Sequence, residues 1–267
     1  MPAADRTCLI TGASSGIGAD LARQLARKGH GVTLVARRED RLRTLADELR
    51  DAYDIRAEVI ACDLTDLAAR DGLAPAVETR GLTVSVLVNN AGFSTMGPVH
   101  RSDPAREVAM IRTDVEAVAH LCSTFVPGMV ARGCGAVLNV ASVASFQPLP
   151  GQAGYGACKA FVLSYSRAMA EEVRRKGVTV TALCPGPVET EFADVAGLDE
   201  TEAADALPRF MWVSSADVAA QAITGMEKGR QVVIPGAGNW VGAGVGHLVP
   251  RRLLMPVLAS RHPSLKE

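Results

Sequence analysis

Seven short, nearly uninterrupted apolar runs punctuate this sequence: Thr7 to Thr11, Val32 to Ala36, Ala57 to Cys62, Val84 to Asn89, Ala136 to Ser142, Thr179 to Cys184 and Gln231 to Ile234. Helix-length stretches with amphipathic spacing separate them. A strand that is apolar at every position needs cover on both faces. Seven such strands with helical crossovers therefore predict an α/β fold, a doubly wound, Rossmann-like parallel sheet with ligands at the carboxyl ends of its strands. A chain of 267 residues, 48% hydrophobic and 21% charged, suffices for one such domain, and no repeat or low-complexity segment competes with that reading.

The first turn between strand and helix reads Thr11-Gly12-Ala13-Ser14-Ser15-Gly16-Ile17-Gly18, with a helix expected from Ile17 to Arg27. Glycines there let the backbone approach a pyrophosphate, and a helix N-terminus favours its charge. The spacing is Gly-x-x-x-Gly-x-Gly, not Gly-x-Gly-x-x-Gly, so on this turn alone a glycine-rich connection without a ligand stays open. Tyr155 and Lys159 stand four residues apart in Tyr-Gly-Ala-Cys-Lys and share a face if 154–176 is helical. An ammonium beside a phenol lowers its pKa from ~10, which makes Tyr155 a usable proton donor or acceptor nearer neutral pH. An isolated pair of this kind reads equally as a surface helix with a solvated lysine.

A formal charge of −1 gives no reason to expect nucleic acid, so a small-molecule partner is expected. The six cysteines form no CxxC pair and no metal-ligand spacing, which points to no metal site and to a reducing, intracellular setting. No apolar run nears the roughly 20 residues of a membrane span, and none resembles a signal sequence, so a soluble, cytoplasmic protein is expected.

Thr11 to Gly18, Asn89-Asn90-Ala91-Gly92, Ser142, Tyr155 with Lys159, and Pro185-Gly186-Pro187-Val188-Glu189-Thr190 follow one another as an ordered set. In that order they resemble the motifs of the short-chain dehydrogenase/reductase family, classical type, over about residues 7 to 237. Overall the chain looks most like bacterial ketoacyl reductase-type members.

The resemblance implies residues 1–237 as an NADP-binding, Rossmann-like domain with a substrate lid at 187–213, and 238–267 as a C-terminal extension of the same domain. It implies that Tyr155 protonates a substrate carbonyl oxygen as the nicotinamide delivers hydride to carbon, and that Ser142 hydrogen-bonds that oxygen. Lys159 would bind the nicotinamide ribose and lower the Tyr155 pKa. A strand-end serine bonded to backbone is the plainer reading of Ser142. Cofactor contacts would come from Gly12, Ser14, Ser15, Gly16, Ile17 and Gly18 of the turn, from Asn90, Ala91 and Gly92, from Tyr155 and Lys159, and from Pro185, Gly186, Val188 and Thr190.

The family's fourth catalytic position, an asparagine, falls here on Asp114 in Ile-Arg-Thr-Asp-Val. In the family its main-chain carbonyl holds a water that contacts the lysine, a role an aspartate's backbone can fill. An ionised carboxylate, however, only accepts hydrogen bonds. Activity is expected to survive.

At the end of the second strand, Val35-Ala36-Arg37-Arg38 lacks the acid that would hold an adenosine ribose, and offers two guanidiniums for a 2′-phosphate. NADPH is therefore expected over NADH, although Arg37 and Arg38 also suit the start of a solvated charged helix. Asp63 would accept from the adenine amino group, or else cap the strand end.

Phe192, Val195, Leu198, Leu207, Phe210, Met211 and Trp212 on the lid, with Phe93, Met96, Phe146 and Leu149 from other loops, suit a hydrophobic ketone or 3-oxoacyl group. Packing of the lid onto the body explains the same residues. For the extension, packing within a homodimer or homotetramer is expected because Pro250 and Pro256 break a long helix. Covering the substrate entrance or lying on a membrane surface stay open. A second reading from another class is a catalytically weak nucleotide-binding sensor or partner protein.

Overall fold

Every residue of Val32–Ala36 and five of the six in Arg6–Thr11 are buried, as strands covered on both faces must be. The computed structural model describes residues 3–192, 209–261 and 265. Its strands are β1 (Arg6–Thr11), β2 (Val32–Ala36), β3 (Ala57–Ala61), β4 (Thr83–Asn89), β5 (Gly135–Val140), β6 (Val178–Leu183) and β7 (Val232–Val233). They form one seven-stranded sheet in the order β3-β2-β1-β4-β5-β6-β7. All six pairings are parallel.

The chain runs outward from β1 to β3 and then returns to place β4 on the other side of β1. At that reversal the connections leaving β1 and β4 part to opposite faces, which opens a crevice at their carboxyl ends. Alternation along β1 serves both layers: Ile10 packs into the core on one face with Leu21, Leu25, Val218 and Ala222, while Leu9 packs into the other with Leu121, Val162 and Met169. The first face is covered by α1 (Gly16–Arg27), α2 (Glu39–Tyr53) and α8 (Ser215–Glu227), and the second by α6 (Ala117–Arg132) and α7 (Ala153–Val173).

Between them run α3 (Leu67–Asp71), α4 (Leu73–Glu78) and α5 (Pro104–Ile111). A π-helical turn, Arg112–Glu116, joins α5 to α6. At the end of the chain stand α9 (Ala237–Leu248) and α10 (Arg251–Arg261). Pro250 separates these two helices, but Pro256 lies inside α10 and does not end it. Only one of the two expected breaks therefore forms.

Boundaries depart slightly from expectation. The last strand shrinks to two residues at the sheet edge, where a single neighbour, β6, fixes it. Val195, Leu198 and Leu207 lie outside the described residues. Among the described residues no helix is long and apolar enough to cross a membrane.

Candidate active site

A cavity of about 1080 Å³ opens at the carboxyl ends of the strands. Gly12, Ser14, Ser15, Gly16 and Ile17 line it from the first turn, Arg37 and Arg38 from the end of β2, and Asp63 from the end of β3. Asn90, Ala91 and Gly92 follow β4, Ser142 follows β5, Tyr155 and Lys159 come from α7, and Pro185, Gly186, Val188 and Thr190 follow β6. Of the residues expected to hold the cofactor or do the chemistry, Gly18 and Asp114 stand behind the wall, and of the described residues expected around the substrate, Phe146 and Phe210 do not line the cavity.

The first turn is shaped for a phosphate. Gly12 and Gly16 adopt φ of +66° and +53°, a region that side chains other than glycine's disfavour. Ser15 makes no side-chain cap to α1, and no acid occupies the first helical turn, so the positive end of the helix dipole faces the cavity uncompensated. Asn90 braces the turn from β4: its side-chain amide donates to the carbonyl oxygens of Thr11 (2.9 Å) and Gly12 (3.3 Å). A Cβ on Gly18 would run into that same amide and into the Gly12 carbonyl. Gly18 therefore shapes the turn by packing behind it.

Arg38 reaches back to this turn, donating to Ser14 Oγ (3.0 Å and 3.2 Å) and to Ser15 Oγ (2.8 Å). Its Nη1 also donates to Glu191 Oε2 at 2.8 Å, while Arg41 Nη1 lies 2.5 Å from Glu191 Oε1. Hydrogen bonds from Arg41 and then Arg38 pull the Glu191 carboxyl down to about 2. Sequence reading did not find Glu191 or Arg41, because the two lie 150 positions apart and neither belongs to a motif. Arg37 is exposed. Asp63 accepts from the Thr65 amide (2.9 Å) and hydroxyl (2.8 Å), the capping role left open for it. Those Thr65 bonds hold its carboxyl below the ordinary value, with Arg37 contributing.

Ser142 caps a 3-10 turn, Val143–Phe146, its Oγ accepting from the Ala144 amide at 3.1 Å. Its Oγ also donates to the Pro185 carbonyl at 3.5 Å, so the strand-end backbone role is filled while the residue lines the same cavity as Tyr155. One helical turn separates Tyr155 from Lys159, whose Nζ lies 5.6 Å from the phenol ring centre. Phe192 packs against that ring at a tilt, centroids 5.7 Å apart.

Lys159 Nζ donates to the Val140 carbonyl (3.1 Å) and pairs with Asp114 Oδ2 at 2.8 Å. Asp114 Oδ1 accepts from the Phe93 amide at 3.1 Å. The carboxylate is 0% exposed and sits in the π-helical turn, a local widening that recurs at functional sites. Gly92 gives it room: a Cβ there would lie 2.8 Å from Oδ2. Sequence reasoning assigned position 114 a main-chain role, whereas its side chain is the counter-ion of Lys159.

Charge balance at this cluster corrects a second expectation. Burial raises the Tyr155 pKa above its ordinary value; Lys159 and Ser142 oppose that shift, Asp114 adds to it, and the balance stays upward. The phenol is thus held protonated, not poised near neutrality. Burial pulls Lys159 down, but Asp114 and Tyr155 outweigh it and the ammonium is held above its ordinary value.

At the far end of the cavity the wall includes Phe93, Met96 and Leu149, with Asn239, Gly242 and Leu258 from the C-terminal extension. The extension covers this end of the cavity, one of the readings left open for it. Asn239 fixes it in place, donating to the carbonyls of Met211 and Pro235 at 2.9 Å each.

Residues 6–201 match the family model described as short chain dehydrogenase. The chain belongs to that family. A Streptomyces coelicolor relative named as a ketoacyl reductase is 37% identical over 187 residues, 69% of this chain and 71% of its own. Among solved structures, a short-chain dehydrogenase from Sphingobium yanoikuyae in complex with NADPH superposes with a TM-score of 0.81 at 33% identity, covering 96% of both chains. A 3-ketoacyl-(acyl-carrier-protein) reductase from Brucella melitensis complexed with NADH superposes at 0.77, 27% identical over 88% of this chain and 98% of its own. This short-chain dehydrogenase is therefore an oxidoreductase by family, and its structural neighbours include holders of either nicotinamide cofactor.

Proposed function

We propose that this protein is an NADPH-dependent reductase that converts a hydrophobic ketone or 3-oxoacyl group to the alcohol. The observation that carries the reading is the convergence of Ser142, Tyr155 and Lys159 in the cavity that also holds Arg38 and the glycine turn. When bound, the nicotinamide supplies the hydride.

The turn residues Gly12, Ser14, Ser15 and Gly16, at the open N-terminus of α1, suit the pyrophosphate, and Arg38 and Arg37 suit a 2′-phosphate. Asp63 and Asn90 flank the adenosine end. Ser142 Oγ and the Tyr155 hydroxyl, lining one cavity, supply two donors for one carbonyl oxygen. Tyr155 gives its proton to that oxygen, and the buried Lys159 ammonium stabilises the phenolate left behind. Asp114 keeps Lys159 charged and fixed. Phe93, Met96 and Leu149 supply an apolar wall for the substrate.

A nucleotide-binding sensor without turnover is the second reading, favoured by the direct Asp114–Lys159 pair, which occupies the ammonium. NADPH oxidation against a panel of ketones and 3-oxoacyl thioesters separates the two. Turnover of any member supports the reductase; tight NADPH binding with no turnover across the panel supports the sensor.

A further inference from the structure

Arg38, at the end of β2, and Arg41, in the first turn of α2, do not wait empty-handed. Glu191, which directly follows Thr190 in the segment after β6, places one carboxylate oxygen 2.8 Å from Arg38 Nη1 and the other 2.5 Å from Arg41 Nη1. The same Arg38 guanidinium donates to Ser14 and Ser15 of the phosphate turn. Two guanidiniums thus hold one anion, one of them also braced by the hydroxyls of the turn, and that anion belongs to the chain itself. A carboxylate bridging two guanidiniums presents a negative charge and paired acceptor oxygens, as a phosphate monoester does with a larger charge.

We propose that Glu191 is an internal competitor for the cofactor's 2′-phosphate, and that Arg41 is a third cation of the same anion site. The inference rests on the NADPH reading and deepens it. NADPH must displace the carboxylate from Arg38 and Arg41, whereas NADH, with a ribose hydroxyl there, leaves the bridges intact. Glu191 therefore lowers the protein's discrimination for NADPH below what its arginines alone would give. Both bridges are about half exposed, 41% and 42% for Arg38 and Glu191 and 46% for Arg41. Water and salt screen them, so a phosphate dianion can replace the carboxylate at modest cost.

The charges that face Glu191 are Arg38 and Arg41, with Asp40 beside Arg41 as a like charge. Neutralising Glu191 leaves the two guanidiniums to the ligand. Neutralising Arg41 removes one of them.

The test is the dissociation constant of NADPH and of NADH, read from the fluorescence of the bound dihydronicotinamide, for the wild type, Glu191→Gln and Arg41→Leu. Glu191→Gln is expected to tighten NADPH roughly threefold to tenfold, the scale of two exposed ion pairs, and to change NADH less than about twofold. Arg41→Leu is expected to weaken NADPH and spare NADH. Adenosine 2′-monophosphate against adenosine, by titration calorimetry, repeats the comparison without the nicotinamide and guards against effects at the far end of the cavity. Equal tightening of both cofactors, or weaker NADPH binding in Glu191→Gln, overturns the proposal, the latter by showing that the carboxylate aligns the arginines for the ligand. Equal affinity of the wild type for NADH and NADPH overturns the NADPH reading separately, since the Glu191→Gln comparison then still shows whether the carboxylate competes.

Discussion

Asp114 Oδ2 lies 2.8 Å from Lys159 Nζ, and both side chains are almost wholly buried, so the ammonium beside Tyr155 has a permanent counter-ion. Burying two charges is costly unless their remaining bonding capacity is used, and here the Phe93 amide and the Val140 carbonyl use much of it.

An Asp114→Asn variant keeps one acceptor oxygen, placed for the Phe93 amide or the lysine but not for both, and loses the charge. Ketone reduction at neutral pH is expected to stay within about an order of magnitude of the wild type, because the Tyr155 proton donor and the Ser142 hydroxyl are untouched. A much larger gain would mark the natural aspartate as inhibitory.

The same variant carries a pH signature. Asp114 adds to the upward shift of the Tyr155 phenol, so removing its charge lets that pKa fall towards its ordinary value. Alcohol oxidation needs the phenolate and rises with pH through this ionisation. Its alkaline limb is expected to move to lower pH in Asp114→Asn, as measured by the pH dependence of kcat/KM. An unmoved limb means that the carboxylate does not act on the phenol.

Ser142→Ala removes two bonds at once. The Ala144 amide loses its cap, which should lower stability by about 1 kcal/mol in chemical denaturation. Loss of one donor to the developing oxyanion is expected to lower kcat by about 100-fold to 1000-fold with NADPH affinity intact. A stability loss with kcat unchanged would leave Ser142 as a structural cap.

Two glycine substitutions separate the fold from the site. Gly177 has φ +71° and packs against the Gly133 carbonyl, remote from the cavity. Gly177→Ala should cost about 1 kcal/mol or more in stability and leave the NADPH dissociation constant unchanged. Gly18→Ala pushes on Asn90 and on the Gly12 carbonyl, so it should weaken NADPH roughly tenfold or more, ~1.4 kcal/mol. Comparable NADPH binding in both variants would dissociate the turn from the cofactor.

The inner strands were legible because burial on two faces leaves an apolar run that no other element of that length carries; β2 falls on its expected residues, Val32–Ala36. Motif residues were legible because backbone geometry demands particular side chains at fixed intervals, as at Gly12 and Gly16. What sequence hid were relationships between segments that share no pattern. Glu191 meets Arg41 across 150 positions, and the carboxylate of Asp114 turns inward only because the helix widens there and Gly92 yields space. The direction of the Tyr155 shift was misread for a related reason: spacing places Lys159 beside the phenol, but the depth of burial that outweighs it is set by the packed fold.

The most direct measurement is single-turnover reduction of a ketone by Tyr155→Phe, with NADPH binding measured alongside. The variant keeps the ring that contacts Phe192 and Lys159 and loses only the hydroxyl. A general acid contributes on the order of 100-fold to 10,000-fold, so a rate loss of that size at unchanged NADPH affinity is predicted. Full activity in Tyr155→Phe would contradict the account.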